Sequence, residues 1–335
     1  MASLSLANAG CRGASASEQS TGKAYPREQT LFIGGRQWGE PSSINPLSSS
    51  PDWPVISGVK LMYETLFFYD PMSGKMVPLL AESYVQRADE IEVTLQEKAR
   101  WNDGKPVTAW DVKYTFDLGK KHKDIPISPT WTYLDDIKLP EVPEGTPEGT
   151  GQPRKLVFVL NKEHKNPLII LDAFEEFRIV PRHVIEPLLA SVKSDMNEFL
   201  KLKFHDPKQA VCSGPYKIDS IQSEKIGIVR DDNYWGNDVL YAGKKPAPKY
   251  IVHPIYKSND HFSVALQQGK LDVSSSYIPR ISAQAAQGRR HLVQGRTLLP
   301  LGRDSVVVHQ LAAQAPERRA HPPRHGLRHQ LQRHP

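Results

Sequence analysis

The 335-residue sequence predicts a mixed α/β fold with more than one domain. Three observations carry this. Apolar residues alternate with polar ones at Ile91, Val93 and Leu95, the period of a half-buried strand. Thr108 and Asp111 stand three apart ahead of an apolar-periodic run, the pattern of a capped helix. The length is enough for two domains of ordinary size.

The elements follow in order. Thr30–Ile33 is a short apolar run ending at Gly34-Gly35 and reads as a buried strand. Pro- and Ser-rich sequence extends from there to Pro54. From Val59 to Tyr69 the apolar positions, Leu61 and Phe68 among them, fall at helical spacing. Asp70-Pro71 and Ser73-Gly74 mark a turn. Asn102-Asp103-Gly104 is a tight turn in which glycine supplies positive φ. The capped helix runs from Thr108 through Leu118. A Gly/Pro-rich loop at Glu144–Pro153 precedes a strand at Leu156–Leu160. Tyr216–Ile218 and Ile226–Val229 read as paired strands, Phe262–Gln268 as a short helix, and Leu271–Val273 as a strand. There is no internal repeat.

Composition narrows the function. The net charge is +6, but Gly288–Pro335 holds nine Arg, no Lys and two acids. The remainder carries 34 basic and 35 acidic residues, with no basic stripe of the kind that phosphate binding needs. No nucleic-acid partner is expected. Two cysteines, Cys11 and Cys212, make neither a disulfide framework nor a metal cluster. No cofactor or metal is expected. No Gly-x-Ser-x-Gly elbow, P-loop or His-Glu-x-x-His stands in the chain, and the acid pairs Asp135-Asp136 and Glu175-Glu176 read as solvated surface. Nothing in the sequence calls for an enzyme.

Five segments in order resemble the family 5 solute-binding proteins of ABC importers, which take peptides, nickel or oligosaccharides. They are Leu61–Tyr84, Val93–Asp117, Cys212–Ile218, Asp231–Gly236 and Leu266–Asp272. Cys212 stands where Gly or Thr is more usual. Within that family, Gln37–Leu47 (QWGEPSSINPL) and Ser128–Glu141 look like the cellobiose- and oligosaccharide-binding branch, with the peptide-binding branch as the alternative.

The resemblance implies a periplasmic-binding-protein-like, two-lobed clamshell of type II that closes on its ligand. Residues 27–50 and 178–280 would form a discontinuous lobe I, and 51–177 an extra domain packed on it. The second lobe would begin after Tyr277 and is missing from this chain. Oligosaccharide or peptide would be captured outside the cytoplasmic membrane and passed to ABC permease subunits by a monomer, without chemistry. Aromatic faces suit sugar rings, and amides suit hydroxyls. Trp38, Asn45, Trp131 and Tyr133, in loops after strands, and Tyr277, at the lobe crossing, are therefore the candidate ligand contacts. Trp101, Trp110 and Trp235 lie in scaffold motifs and are expected in the core, with Cys212 as a small buried residue.

Residues 1–26 read as a signal remnant and tether. The small apolar start before Cys11 resembles the end of a lipoprotein signal, which makes Cys11 the lipid-anchoring candidate and the membrane contact one of anchor alone.

Residues 281–335 read differently. From Gly288 onward Lys, Ile, Asn, Met, Phe, Tyr and Trp are absent, and six of the twelve histidines lie there. Such a stretch builds no core. A one-base shift of frame permits TWYKAEPYFP for His291–Pro300 and LNDVRIRRAMAYAINFNDI for Pro316–Pro335, strings similar to what the family carries here. The expectation is an out-of-frame tail after a shift between Ile281 and Gly288. The alternative function is then a non-functional fragment.

Overall fold

The computed structural model describes residues 23–34, 39–56 and 59–274. Cys11, Trp38, Tyr277 and the segment 281–335 lie outside the described residues. After a 3₁₀ turn at Arg27–Gln29 come β1 (Thr30–Gly34), β2 (Phe67–Asp70), β3 (Lys75–Pro78), β4 (Ala81–Gln86) and β5 (Glu90–Leu95). Then follow α1 (Ala109–Lys121), a 3₁₀ turn (Ser128–Thr132), β6 (Leu134–Lys138), β7 (Lys155–Leu160), α2 (Pro167–Glu176), α3 (Arg182–Ser191) and α4 (Met196–Leu200). The last elements are β8 (Tyr216–Gln222), β9 (Lys225–Arg230), α5 (Gly236–Val239), β10 (Tyr250–Pro254), α6 (Asn259–Gln267) and β11 (Val273–Ser274).

Two larger sheets organise these elements. One has the order β11-β1-β10-β9-β8 and the other β4-β5-β7-β6, with β2 and β3 as a separate hairpin. β1 pairs parallel with both β10 and β11, whereas β10, β9 and β8 are antiparallel neighbours. A continuous cluster of buried side chains runs from Ile33 and Ile44 through Phe116, Phe158 and Phe174 to Ile228 and Ile251. Phe158 and Phe174 meet at 4.7 Å between ring centroids, within the range at which aromatic pairs add to simple burial.

Local signals produced the elements they predict. β5 alternates partly buried and buried residues along its length. Thr108 N donates to Asp111 Oδ2 at 2.8 Å, closing the cap of α1, and Arg182 N donates to Asp111 Oδ1 at 2.9 Å, tying α3 to the same carboxylate. Gly104 turns with φ +88°, as its hairpin requires. Trp101, Trp110, Trp235 and Cys212 are buried.

The helix expected over 59–69 does not form. Lys60–Leu66 is irregular and buried on every side, and β2 begins at Phe67. Its backbone groups are taken by distant segments. Gly214 N donates to Met62 O, Tyr216 N to Leu61 O, Ile179 N to Glu64 O and Ala81 N to Leu66 O. These distant donors hold the segment in an irregular path along neighbouring chain, so tertiary pairing overrode the apolar spacing.

N-terminal to β1, Tyr25 crosses the five-stranded sheet. Its hydroxyl bonds Asp219 at 2.8 Å and Ser220 at 2.7 Å. Gly227 makes room for it: a Cβ there would stand 1.9 Å from the Tyr25 oxygen.

Candidate functional site

Three parallel strands, β11, β1 and β10, lie side by side and run the same way. In α/β sheets, ligands bind beyond the carboxyl ends of such strands. β1 ends at Gly34, four residues before Trp38, and β11 ends at Ser274, three before Tyr277. The chain leaving β1 is described again from Gly39, and its path to Ile56 is the described part of the candidate site.

This loop is fastened at many points despite its Pro/Ser-rich composition. Asp52 accepts bonds from Ser42 N, Ser42 Oγ and Ser43 N, and Asp52 N returns a bond of 2.7 Å to Ser43 O. Ile44 N donates to Lys203 O. Asn45 is fully buried: Nδ2 donates to Phe199 O at 3.0 Å and Oδ1 accepts from Leu47 N at 3.0 Å. The candidate contact Asn45 thus serves as a clamp between the loop and α4. Further on, Trp53 packs against His253 of β10, with rings 5.4 Å apart and inclined at 30°.

Trp131 and Tyr133 stand elsewhere, in and just after the Ser128–Thr132 turn that precedes β6. The Trp131 indole donates to Phe116 O at 2.6 Å, and Lys120 Nζ sits 4.4 Å over the ring, an attractive cation–π distance. Tyr133 is half-buried, with its backbone bonded to Thr130 and Asn161. A small pocket lies where Pro46 and Leu47 face Thr115, Ile125, Ile127, Phe177 and Arg178, and neither Asn45, Trp131 nor Tyr133 lines it.

Arg178 escaped the sequence reading. Its Nε and Nη2 both donate to Pro46 O, at 3.0 and 2.9 Å, so it holds the loop from the other side. Burial pushes its guanidinium down to about 10, against the pull of Glu176 and Tyr63. The neighbouring Glu175, read as solvated surface, instead reaches the buried Lys60 at 3.7 Å. Burial holds Lys60 below the ordinary lysine range, opposed by Glu175 and Glu176. A signal was present: in Glu175-Glu176-Phe177-Arg178 two acids and a base flank an aromatic residue, but nothing local says which charge turns inward.

Glu64 is the other acid that the sequence left unmarked. It is fully buried, and its carboxyl meets the Tyr234 hydroxyl, Trp235 Nε1 at 3.3 Å and the Ser213 side chain. Burial pushes it up to about 8, against the lowering effect of those donors. It joins the Lys60–Leu66 segment to the chain on both sides of β8 and β9. Among the described residues no group of His, Cys, Asp and Glu could hold a metal ion, and no helix is long and apolar enough to cross a membrane.

Comparison with known proteins bears on this arrangement. A structure of a Thermotoga maritima oligopeptide ABC transporter, periplasmic oligopeptide-binding protein, with mannohexaose bound, superposes with a TM-score of 0.64 at 31% identity, covering 78% of this chain and 44% of that one. A probable peptide-binding protein, YejA, of Agrobacterium fabrum is 28% identical over 235 residues, which is 69% of this chain and 35% of that protein. A probable ABC transporter-binding protein of Deinococcus radiodurans is 27% identical over 203 residues, 58% of this chain and 31% of that protein. The chain thus spans about a third of the length of these curated relatives. The family model described as bacterial extracellular solute-binding proteins, family 5, middle part, matches residues 75–299, running from the β2–β3 hairpin past β11. With that match over most of the chain, and the α/β fold shared with the Thermotoga protein, the chain belongs to the family 5 bacterial extracellular solute-binding proteins.

Proposed function

We propose that this chain is the substrate-binding subunit of an ABC importer, one that captures an oligosaccharide outside the cytoplasmic membrane and delivers it to the permease. The observation that carries the ligand class is the 31% identity to a neighbour holding mannohexaose. Trp38 and Tyr277, beyond the carboxyl ends of β1 and β11, would stack on sugar rings, with Trp131 and Tyr133 as further aromatic contacts. Lobe I would be drawn from 27–50 and 178–280, a reading supported by a sheet that takes strands from 30–34 and 216–274, with 51–177 as the extra domain. Cys11 would carry a lipid anchor, and the protein would act as a monomer without catalysis.

Calorimetric titration of the 335-residue chain with mannohexaose and with oligopeptides tests this. Saturable glycan binding without turnover is the expected result. Binding of peptides alone assigns the peptide branch, supported by the name of the Agrobacterium relative, and release of shorter sugars overturns the binding-only reading.

A second reading, a frameshifted and non-functional fragment, is favoured by the composition of Gly288–Pro335 and opposed by a family match that continues to residue 299. It expects a chain that aggregates and binds neither ligand. Resequencing the gene across codons 275–340 decides it: a single-base correction restoring the family strings makes this the front part of a working importer subunit and refutes the non-functional reading, whereas a frame confirmed as written and stopping after Pro335 supports a decayed fragment.

A further inference from the structure

His253 is one of the least explained side chains in the molecule. It sits in β10, between β1 and β9, and is 1% exposed. Both ring nitrogens are buried and, among the described residues, have no hydrogen-bond partner. A neutral imidazole owns one donor and one acceptor, and leaving such groups unpaired costs free energy that folded proteins seldom concede without a reason. The ring lies against Trp53, at the end of the loop from Gly39 to Ile56.

The charges around it are few. From the loop, Asp52 acts on it electrostatically, but that carboxylate is already committed to Ser42 and Ser43. β1 brings no charged residue between Thr30 and Gly34. On β9 the residue facing His253 is Ile226, and Lys225, one position earlier, is turned to Lys23 O at 2.7 Å. Among the described residues, an imidazolium at this position would find no uncommitted counter-ion, and its burial keeps it from water.

We propose that His253 is a positioning residue that makes the Ser42–Ile56 loop acid-labile: neutral, it supports Trp53 and the loop above it; protonated, it must reach water and the loop opens with it. Burial, opposed only by Asp52, pushes the group down to about 4, against the usual 6.5 or so of a solvated histidine. The closed loop therefore refuses a proton that the open loop accepts, and opening becomes easier as pH falls from about 6.5 to about 4. This rests on the reading of the loop as part of the ligand site, so that solute would be held less well in acid.

The test is hydrogen exchange of the 335-residue chain, followed peptide by peptide at about pH 6.5 and about pH 5 and corrected for intrinsic exchange. One proton changes the opening equilibrium by at most ten-fold per pH unit, and the open loop is already half protonated at about pH 6.5, so the 42–56 peptide should open about 15-fold more at the lower pH. Peptides from β8 and β9 should not follow it. His253→Phe keeps an aromatic ring beside Trp53 and retains Asp52, and its 42–56 peptide should show no such rise. An equal rise in the variant overturns the proposal. So does an equal rise across all peptides of the unaltered protein, a comparison that does not need the variant to fold. No ligand enters this measurement, so it stands or falls separately from the glycan titration.

Discussion

Replacing Glu64 by Gln probes a fully buried carboxyl that the fold holds against its own desolvation. The carboxyl is fully buried and held by Tyr234, Trp235 and Ser213, with no cation among the causes of its shift. Its value rises from 4.5 in the unfolded chain to about 8 in the fold. Between these values the native state keeps a proton that the unfolded state has lost, so stability falls as pH rises. The full effect is about 5 kcal/mol, at about 1.4 kcal/mol per pH unit. His253 works in the opposite direction. Its value falls from 6.5 to about 4, so between about pH 4 and 6.5 the unfolded state holds more protons and stability rises with pH, by about 3 kcal/mol in all.

The two slopes cancel from about pH 4.5 to 6.5. Of these two groups only Glu64 acts above that, and it should lower stability by about 2 kcal/mol by pH 8. Glu64→Gln keeps one acceptor oxygen for Trp235 Nε1 and turns its amide N–H to the Tyr234 hydroxyl, which can accept, without a charge to bury. Urea unfolding at a series of pH values, extrapolated to water, should show two changes. The drop between about pH 6.5 and 8 should vanish, and a rise from about pH 4.5 to 6.5, to which His253 contributes most and the half-buried His205 adds in the same direction, should appear. Parallel profiles for the two proteins across the whole range would refute the reasoning.

Two further substitutions test the packing. Gly227→Ala would drive a Cβ into the Tyr25 hydroxyl and break its bonds to Asp219 and Ser220. A loss of about 2 kcal/mol is expected, with earlier cleavage of the N-terminal segment by protease; unchanged stability and cleavage would show that Tyr25 adds nothing to the sheet. Glu175→Gln would leave the buried Lys60 without its partner and should cost about 3 kcal/mol, whereas Lys60→Met, which removes the charge and keeps the apolar stem, should be neutral or stabilising. Equal losses in both, measured by urea unfolding, would mean that the pair contributes through attraction rather than through the cost of burying the lysine.

The amino-acid sequence alone determined the parts whose partners lie a few residues away. The Thr108–Asp111 cap, the Gly104 turn, the β8–β9 pairing and the alternation of β5 are local, and each was legible. So was the family, because its five segments are spaced along one chain. Tertiary structure decided the rest. Lys60–Leu66 gave up its helical spacing because its carbonyls are claimed by Gly214, Tyr216, Ile179 and Ala81. β10, at the centre of its sheet, was not read at all: its five residues end in a histidine and a proline, and only its position between β1 and β9 makes it a strand. Asn45, chosen for its amide, spends that amide on Phe199, more than 150 residues away. Arg178 and Lys60 turn inward because the pocket wall and α2 close over them. Residue type and spacing specify what a group can do; which groups lose their water, and to which partner, depends on contacts between segments far apart in the chain.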